Sequence, residues 1–427
     1  MTLDEWLAFI ERQHAQPIAL GLDRVRRVAQ ALGQRQTCPL ILVGGTNGKG
    51  SVCALLERIL LSAGYRVGLY TSPHLLRYNE RVRIDGRAVG DETLCAAFER
   101  VEAARQSGKV SRGDTPLTYF EFGTLAAWEV FATHSLDATI LEVGLGGRLD
   151  ATNLYDADLA IVTGVDLDHM DYLGPTREEI GFEKAGIFRA GRPAICGDVD
   201  PPRRLIDHAA AIGAELQVLG RDFGVGRQEG QWQFRGRRGN RSGLAFPALR
   251  GDRQIENAAV ALAALDELHD CLPVAMQDIR RGLAEVELAG RFQVLPGRPT
   301  VVLDVAHNPQ AARVLADNLG GMAFHPRTWA VFGIMRDKDI AGVVAALRHR
   351  VDYWLPATLE GPRAATAEEL AAILADAGVS EPLPTFASAS SAFAYAQEHA
   401  DENDRILALG SFLTVADVLR VLGRSAA

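Results

Sequence analysis

The stretch LILVGGTNGKGSV, Leu40 to Val52, decides how this chain is read. An apolar run, Leu40–Val43, closes in glycines around a single lysine, Lys49, and an apolar-periodic segment begins at Val52. A strand feeding a glycine loop feeding a helix is the setting that cradles phosphate. Backbone N–H groups and the helix N-terminus face the anion, and the lysine reaches the β- and γ-phosphates. The common template places Ser or Thr directly after the lysine. Here Gly50 stands there and Ser51 comes one residue late. The alternative is a plain βα turn with a solvated lysine. Composition argues against it: the 45 basic residues include only four lysines, Lys49, Lys109, Lys184 and Lys338. Arginine serves wherever a generic positive charge will do, so a lysine is the marked choice.

Outward from the loop, short apolar runs alternate with helical patterns. Strands are predicted at 40–43, 66–70, 138–143 and 159–165, with helices at 51–63, 92–106 and 118–132. Near-continuous apolar strands between helices predict a mostly parallel sheet covered on both faces. After about Gly220 the texture becomes rich in glycine and arginine, with brief alternation that predicts hairpins, followed by helices at 254–269 and 274–285. Two prolines and a glycine cluster in LPGRPT, 295–300, and predict a domain break there. Beyond it the strand–helix alternation restarts. The expected organisation is a domain over 1–295 and a smaller α/β domain over 296–427.

The 427 residues exceed one ordinary core. With 48% apolar and 23% charged residues the mixture is globular. A net charge of -9 argues against a general nucleic-acid or anionic-membrane binder, while a local positive cluster can still hold an anionic small substrate. Cys38, Cys53, Cys95, Cys196 and Cys271 are scattered and odd in number, which predicts reduced thiols in a cytoplasm and no structural zinc. The N-terminal MTLDEWLAFIERQ reads as an amphipathic helix rather than a signal peptide. No apolar stretch approaches the roughly 20 residues of a membrane helix. No heptad pattern argues against a monomer. In EVGLGGRLDATN, Gly144 and Gly146 hint at a dinucleotide fingerprint but lack its remaining elements.

The displaced serine carries further meaning. GTNGKGS resembles the nucleotide loop of the folylpolyglutamate synthase family and of the related Mur peptide ligases. TSPHL (71–75), ERVRIDG (80–86), LTYFEFGTLAA (117–127), LEVGLGGRLDATN (141–153), DHMDYLGPTREEIGFEKAGIFR (168–189), GRFQ (290–293), DVAHNP (304–309) and GSF (410–412) are similar to that family, in its order. The resemblance spans essentially the whole chain. It implies a P-loop-containing, mostly parallel α/β domain with a second, Rossmann-like α/β domain. The implied activity joins L-glutamate to dihydropteroate or to reduced folates. A carboxylate attacks the γ-phosphoryl group of ATP, and glutamate's amine then displaces phosphate from the acyl phosphate. Water would destroy that intermediate, so closure between two domains is expected.

The resemblance also implies roles for residues. Thr46, Asn47, Gly48, Lys49, Gly50 and Ser51 would hold ATP, with Asn257, Arg291 and Asp304 approaching from the other side. Mg²⁺, in two ions, would be held by Ser72, Glu142, His169 and a carbamate on Lys184. Serine and carboxylate oxygens suit Mg²⁺; histidine is a less usual ligand. Read alone, Glu142 is equally an acid capping its strand, and His169 a hydrogen-bonded loop residue. Lys184 is alternatively an unmodified lysine paired with Glu183 or a phosphate. Leu117, Thr118, Tyr119, Phe120, Leu149, Asp150 and Ala151 would line the pteroate pocket, with Leu20, Gly21 and Leu22. Tyr119 and Phe120 compete for a role as helix core. His307 and Ser411 would bind glutamate or handle its ammonium proton; a packing histidine is the alternative. Competing functions are folylpolyglutamate synthesis alone, a Mur-type ligase acting on a nucleotide-linked peptide, and a regulatory NTPase. The last leaves DVAHNP and the second α/β domain without a role.

Overall fold

The computed structural model describes residues 1–16, 18–107, 115–379 and 384–424. The chain divides into two compact units. The first comprises Met1–His74, Tyr78–Ala248 and Ile255–Val286; the second comprises Leu75–Arg77, Leu249–Gln254 and Glu287–Ala427.

The first unit is built on β1 (Leu40–Gly44), β2 (Val67–Tyr70), β3 (Val82–Ile84), β4 (Arg87–Ala88), β5 (Ala138–Glu142), β6 (Leu159–Val162), β7 (Pro193–Cys196) and β8 (Glu215–Val218). Their order is β4-β3-β2-β5-β1-β6-β7-β8. All pairings are parallel except those of β3 with β2 and β4. Every residue of β1, β2, β5 and β6 is buried. That is why these segments read as unbroken apolar runs rather than as alternation. From β1 the chain goes to β2 on one side of the sheet, and from β5 it passes to β6 on the other. The reversal puts a crevice at the carboxyl ends of the central strands, where ligands of open α/β sheets gather.

The helix Lys49–Ser62 packs on β1, β2 and β5. Val52, Leu55, Leu56, Ile59 and Leu60 are its fully buried apolar stripe at helical spacing. It also meets the helix Met276–Glu285 at Gly282, where a Cβ would stand 2.7 Å from the Ile59 Cα. Reciprocal caps open the helices Tyr119–Ala132 (Thr118 with Glu121) and Arg177–Ala185 (Thr176 with Glu179). The arginine-rich segment forms the antiparallel strands β9 (Gly224–Gln228), β10 (Gln231–Gly236) and β11 (Gly239–Leu244). Trp232 and Phe234 alternate inward and are fully buried. Arg238 and Arg241 are neutralised by Asp270 and Asp266.

The second unit holds β12 (Gln293–Leu295), β13 (Thr300–Leu303), β14 (Thr328–Phe332), β15 (Tyr353–Pro356) and β16 (Arg405–Leu409), in the order β12-β13-β16-β14-β15. All pair in parallel except β12 with β13. This differs from the expected boundary at 295/296, because the cluster LPGRPT is the turn of the β12–β13 hairpin and not a linker. The division falls instead at Val286/Glu287. No helix among the described residues is long and apolar enough to cross a membrane.

Candidate active site

β1 ends at Gly44, and the loop turns through Gly45 (φ 139°) and Gly48 (φ 92°) into the helix at Lys49. A Cβ on Gly45 would stand 3.0 Å from the Thr163 amide nitrogen, and one on Gly48 would stand 2.8 Å from Asn257 Oδ1. Gly45 therefore requires glycine twice over, by conformation and by space, and Gly48 requires it by conformation. The loop is held from β6: Thr163 Oγ1 donates to the carbonyls of Asn47 (2.7 Å) and Gly44 (3.2 Å). Thr46 N donates to the Gly164 carbonyl at 2.8 Å. Thr46 Oγ1 accepts from Asp166 N (3.0 Å) and donates to the Asp166 carbonyl (3.1 Å). Lys49 Nζ donates to the Gly45 and Thr46 carbonyls at 3.1 and 3.3 Å, which keeps it over the loop. Ser51 is buried in the first turn. Asn257, expected from the other side, lies against Gly48 within the first unit, because its helix Arg253–Glu267 packs there.

Glu142 ends β5, next to β1, and is buried. Its Oε2 accepts from Ser72 N at 3.1 Å, which brings these two expected metal ligands together. Cys53, one turn into the loop helix, feels the charges of both Glu142 and Lys49. His169 has a left-handed backbone (φ 50°), and its amide donates to Asp168 Oδ1 at 2.9 Å. Lys184 is 4% exposed, and burial, helped by the charge of Lys49, lowers its pKa to about 7; Asp168 and Asp150 pull the other way. Lys184 thus shares an electrostatic neighbourhood with the loop lysine and with the His169 segment. Pairing with Glu183 does not occur: that carboxylate takes Arg148 at 2.8 Å. Among the described residues no three His, Cys, Asp or Glu side chains gather as a metal cluster. The donor set still fits Mg²⁺, which uses one or two carboxylates together with substrate phosphates.

The segments expected around pteroate also converge. Gly21 N donates to the Leu149 carbonyl at 3.2 Å, joining Leu20–Leu22 to Leu149–Ala151. Phe120 is half-buried against Gly144, where a Cβ would meet its ring at 2.6 Å, and its ring lies 5.9 Å from that of Tyr70. Tyr119 is likewise half-buried, so neither aromatic is plain core. Leu117 and Thr118 are buried, with Thr118 occupied in capping its helix. Asp150 is buried with its carboxylate turned inward, accepting from Thr152 N, Thr152 Oγ1 and Leu145 N at 3.0, 2.6 and 2.9 Å. Burial raises its pKa, against those hydrogen bonds. It shapes the glycine loop 144–147 from within.

In the second unit, Asp304 follows β13 and Ser411 follows the adjacent β16. Asp304 accepts from Phe292 N and Ala306 N, both at 2.8 Å. Burial raises its pKa, opposed first by Arg291 and also by His307. Those couplings place Arg291, Asp304 and His307 together. Arg291 lies over the Phe412 ring at 4.9 Å. His307 Nδ1 is 2.8 Å from the Val305 carbonyl, an acceptor, so Nδ1 carries the proton and Nε2 is the basic nitrogen. Ser411 caps the helix Phe412–Val421. Thr163, Asp166 and Asp168 were not singled out in the sequence. Their contacts run largely through backbone atoms, so only their place at the end of a predicted strand could have flagged them.

Family models match twice: the Mur ligase middle domain over residues 43–265 and the Mur ligase glutamate ligase domain over 290–412. A dihydrofolate synthase/folylpolyglutamate synthase of Escherichia coli is 45% identical over 98% of this chain and 95% of its own. The structure is similar to that of E. coli FolC in complex with DHPP and ADP, with a TM-score of 0.92, 45% identity, and 99% and 98% of the two chains covered. It is also similar to a bifunctional folylpolyglutamate synthase/dihydrofolate synthase with Mn, AMPPNP and L-glutamate bound, with a TM-score of 0.90, 44% identity, and 99% and 98% covered.

Proposed function

The chain belongs to the Mur ligase family, and we propose that it is an ATP-dependent ligase making dihydrofolate from dihydropteroate and L-glutamate, then adding glutamates to folates. The observation that carries this is a phosphate loop whose lysine shares its surroundings with a buried carboxylate, Glu142, and a buried lysine, Lys184, in a chain similar over its full length to such synthases.

Lys49 and the loop amides neutralise and orient the triphosphate, so that an anionic acceptor carboxylate can approach the γ-phosphorus. Ser72, Glu142 and His169 would hold Mg²⁺, which screens charge on the transferring phosphoryl group. With a pKa near 7, Lys184 has a substantial neutral fraction at neutral pH. That amine attacks CO₂, forming an N–C bond and releasing a proton, and so becomes a carboxylate-like donor. In the second unit, His307 would take the ammonium proton of glutamate, and Ser411 would help to bind that glutamate. Arg291 and Asp304 act on the nucleotide. Five free cysteines suit a reducing cytoplasm, where we place the enzyme as a monomer.

The test is ADP release with ATP, Mg²⁺ and glutamate, with and without dihydropteroate or tetrahydrofolate. Acceptor-dependent release is expected, and it should vanish in a folded Lys49→Ala variant. Release that ignores the acceptor would leave only an NTPase.

A further inference from the structure

We infer that Arg81 reads the unreactive carboxylate of a folate acceptor, and so distinguishes glutamate addition to folates from glutamate addition to dihydropteroate. The inference rests on the ligase reading above and names a specificity residue within it.

The chemistry sets the requirement. Dihydropteroate has one carboxylate, and it reacts. A folate ends in glutamate, whose two carboxylates include one that reacts and one that stays ionised beside it. Taking that second anion out of water, next to a triphosphate, is costly unless a cation pairs with it.

Most cations of the first unit near the acceptor segments are already engaged. Arg24 pairs with Glu121 (2.9 Å), Arg83 with Glu57 (2.9 Å) and Arg148 with Glu183 (2.8 Å). Lys49 is over the phosphate loop. Arg81 is different. Its Nε donates to His74 Nδ1 at 2.8 Å, and its guanidinium lies between two aromatic faces, 5.2 Å from the Tyr78 centroid and 5.4 Å from that of Tyr119. No carboxylate pairs with it among the described residues. The fork is thus fixed by a ring nitrogen and two rings, with its terminal nitrogens left for a planar anion.

Its position fits the role. The Arg81 carbonyl accepts from Thr71 N at 2.9 Å, next to Ser72, whose own amide reaches Glu142. One flank is Tyr119, in the segment proposed to hold pteroate. Tyr70, fully buried, feels the charges of both Arg81 and Asp150. Arg81 therefore adjoins Tyr119 on one side and, through Thr71, the Ser72–Glu142 contact on the other, and there the proposal puts the spare carboxylate of a terminal glutamate.

The experiment compares wild type with Arg81→Gln, using dihydropteroate, tetrahydrofolate monoglutamate, and a tetrahydrofolate whose unreactive carboxylate is an amide. With tetrahydrofolate the variant should lose about 10- to 100-fold in kcat/KM, mostly through KM, the range of one lost charge-assisted hydrogen bond. With dihydropteroate it should stay close to wild type, which also shows that it is folded. The amide should cost wild type a similar factor and cost the variant nothing more. Equal losses on both acceptors would mean that Arg81 only braces Tyr78 and Tyr119, and an additive loss on the amide would place the spare carboxylate elsewhere. Either result overturns the inference and leaves the ligase standing. Failure of wild type to use any acceptor would instead remove the ligase reading itself.

Discussion

Lys184 should be a stability cost that the proposed carbamate chemistry would explain. Burial lowers its pKa from 10.5 to about 7. At about 1.4 kcal/mol per unit, the charged native state carries a penalty on the order of 5 kcal/mol. Below about pH 7 the lysine is protonated in both native and unfolded chains, so the whole penalty applies. Above it the native state releases the proton while the unfolded chain keeps it until about pH 10.4, and stability rises with pH across that window. Lys184→Met keeps the length of the side chain and removes the charge. The variant should lose ligation and still melt higher than wild type at acid pH. With about 2 °C per kcal/mol for a protein of this size, the ceiling is ~10 °C, and several degrees are expected after imperfect packing of the sulfur. The advantage should shrink steadily as the pH rises towards the lysine's unfolded pKa. Calorimetry in CO₂-free, chelator-containing buffers measures this, because carbamate and metal would both stabilise wild type alone. No gain at low pH, or a gain independent of pH, would refute the argument that desolvation dominates at this residue.

Three further outcomes follow from the same geometry. Lys184→Ala should be nearly inactive and partly rescued by a small carboxylic acid, saturably and only with Mg²⁺, while Lys184→Arg is not; rescue by short amines instead would point to a working ammonium. His307→Ala should raise the KM for glutamate more than it weakens ADP binding by calorimetry, since it follows a strand of the second unit and holds its Nδ1 on the Val305 carbonyl; the reverse pattern would move it to the nucleotide. Thr163→Val removes the hydroxyl that holds the Asn47 carbonyl at 2.7 Å, and should weaken ADP binding about tenfold, the worth of one hydrogen bond in a preorganised loop, with kcat nearly unchanged at saturating ATP.

The fold was legible where burial is two-sided. The apolar runs at 40–43, 138–143 and 159–165 lie in central strands covered on both faces, and nothing competes with that reading. Punctuation misled at LPGRPT, because proline and glycine mark a hairpin turn as readily as a linker. Only pairing partners distinguish the two, and Gln293 pairs with Leu303. The assignment of Leu75–Arg77 and Leu249–Gln254 to the second unit was illegible for a related reason. These segments are too short to carry a period of their own, so their membership is decided entirely by what they pack against.

The candidate site divides along a similar line. Residues whose side chain is the proposed functional group, Lys49, Glu142 and Lys184, stand out by type: a rare lysine, or an acid ending an apolar strand. Residues that work by holding backbone do not. Thr163 looks like any β-branched residue in a strand, yet its hydroxyl fixes two loop carbonyls and its backbone forbids a side chain at Gly45. Lys184 shows the limit from the other direction. Its sequence neighbour Glu183 suggested a pair, but on the helix Arg177–Ala185 adjacent residues point to different faces. Glu183 therefore turns to Arg148 while Lys184 is buried facing Asp168 and Asp150. Had the pair formed, the carboxylate would have favoured the ammonium and opposed the neutral amine that the proposed carbamate needs. Helix geometry separates neighbours that charge alone would join, and so leaves burial to govern the lysine's pKa.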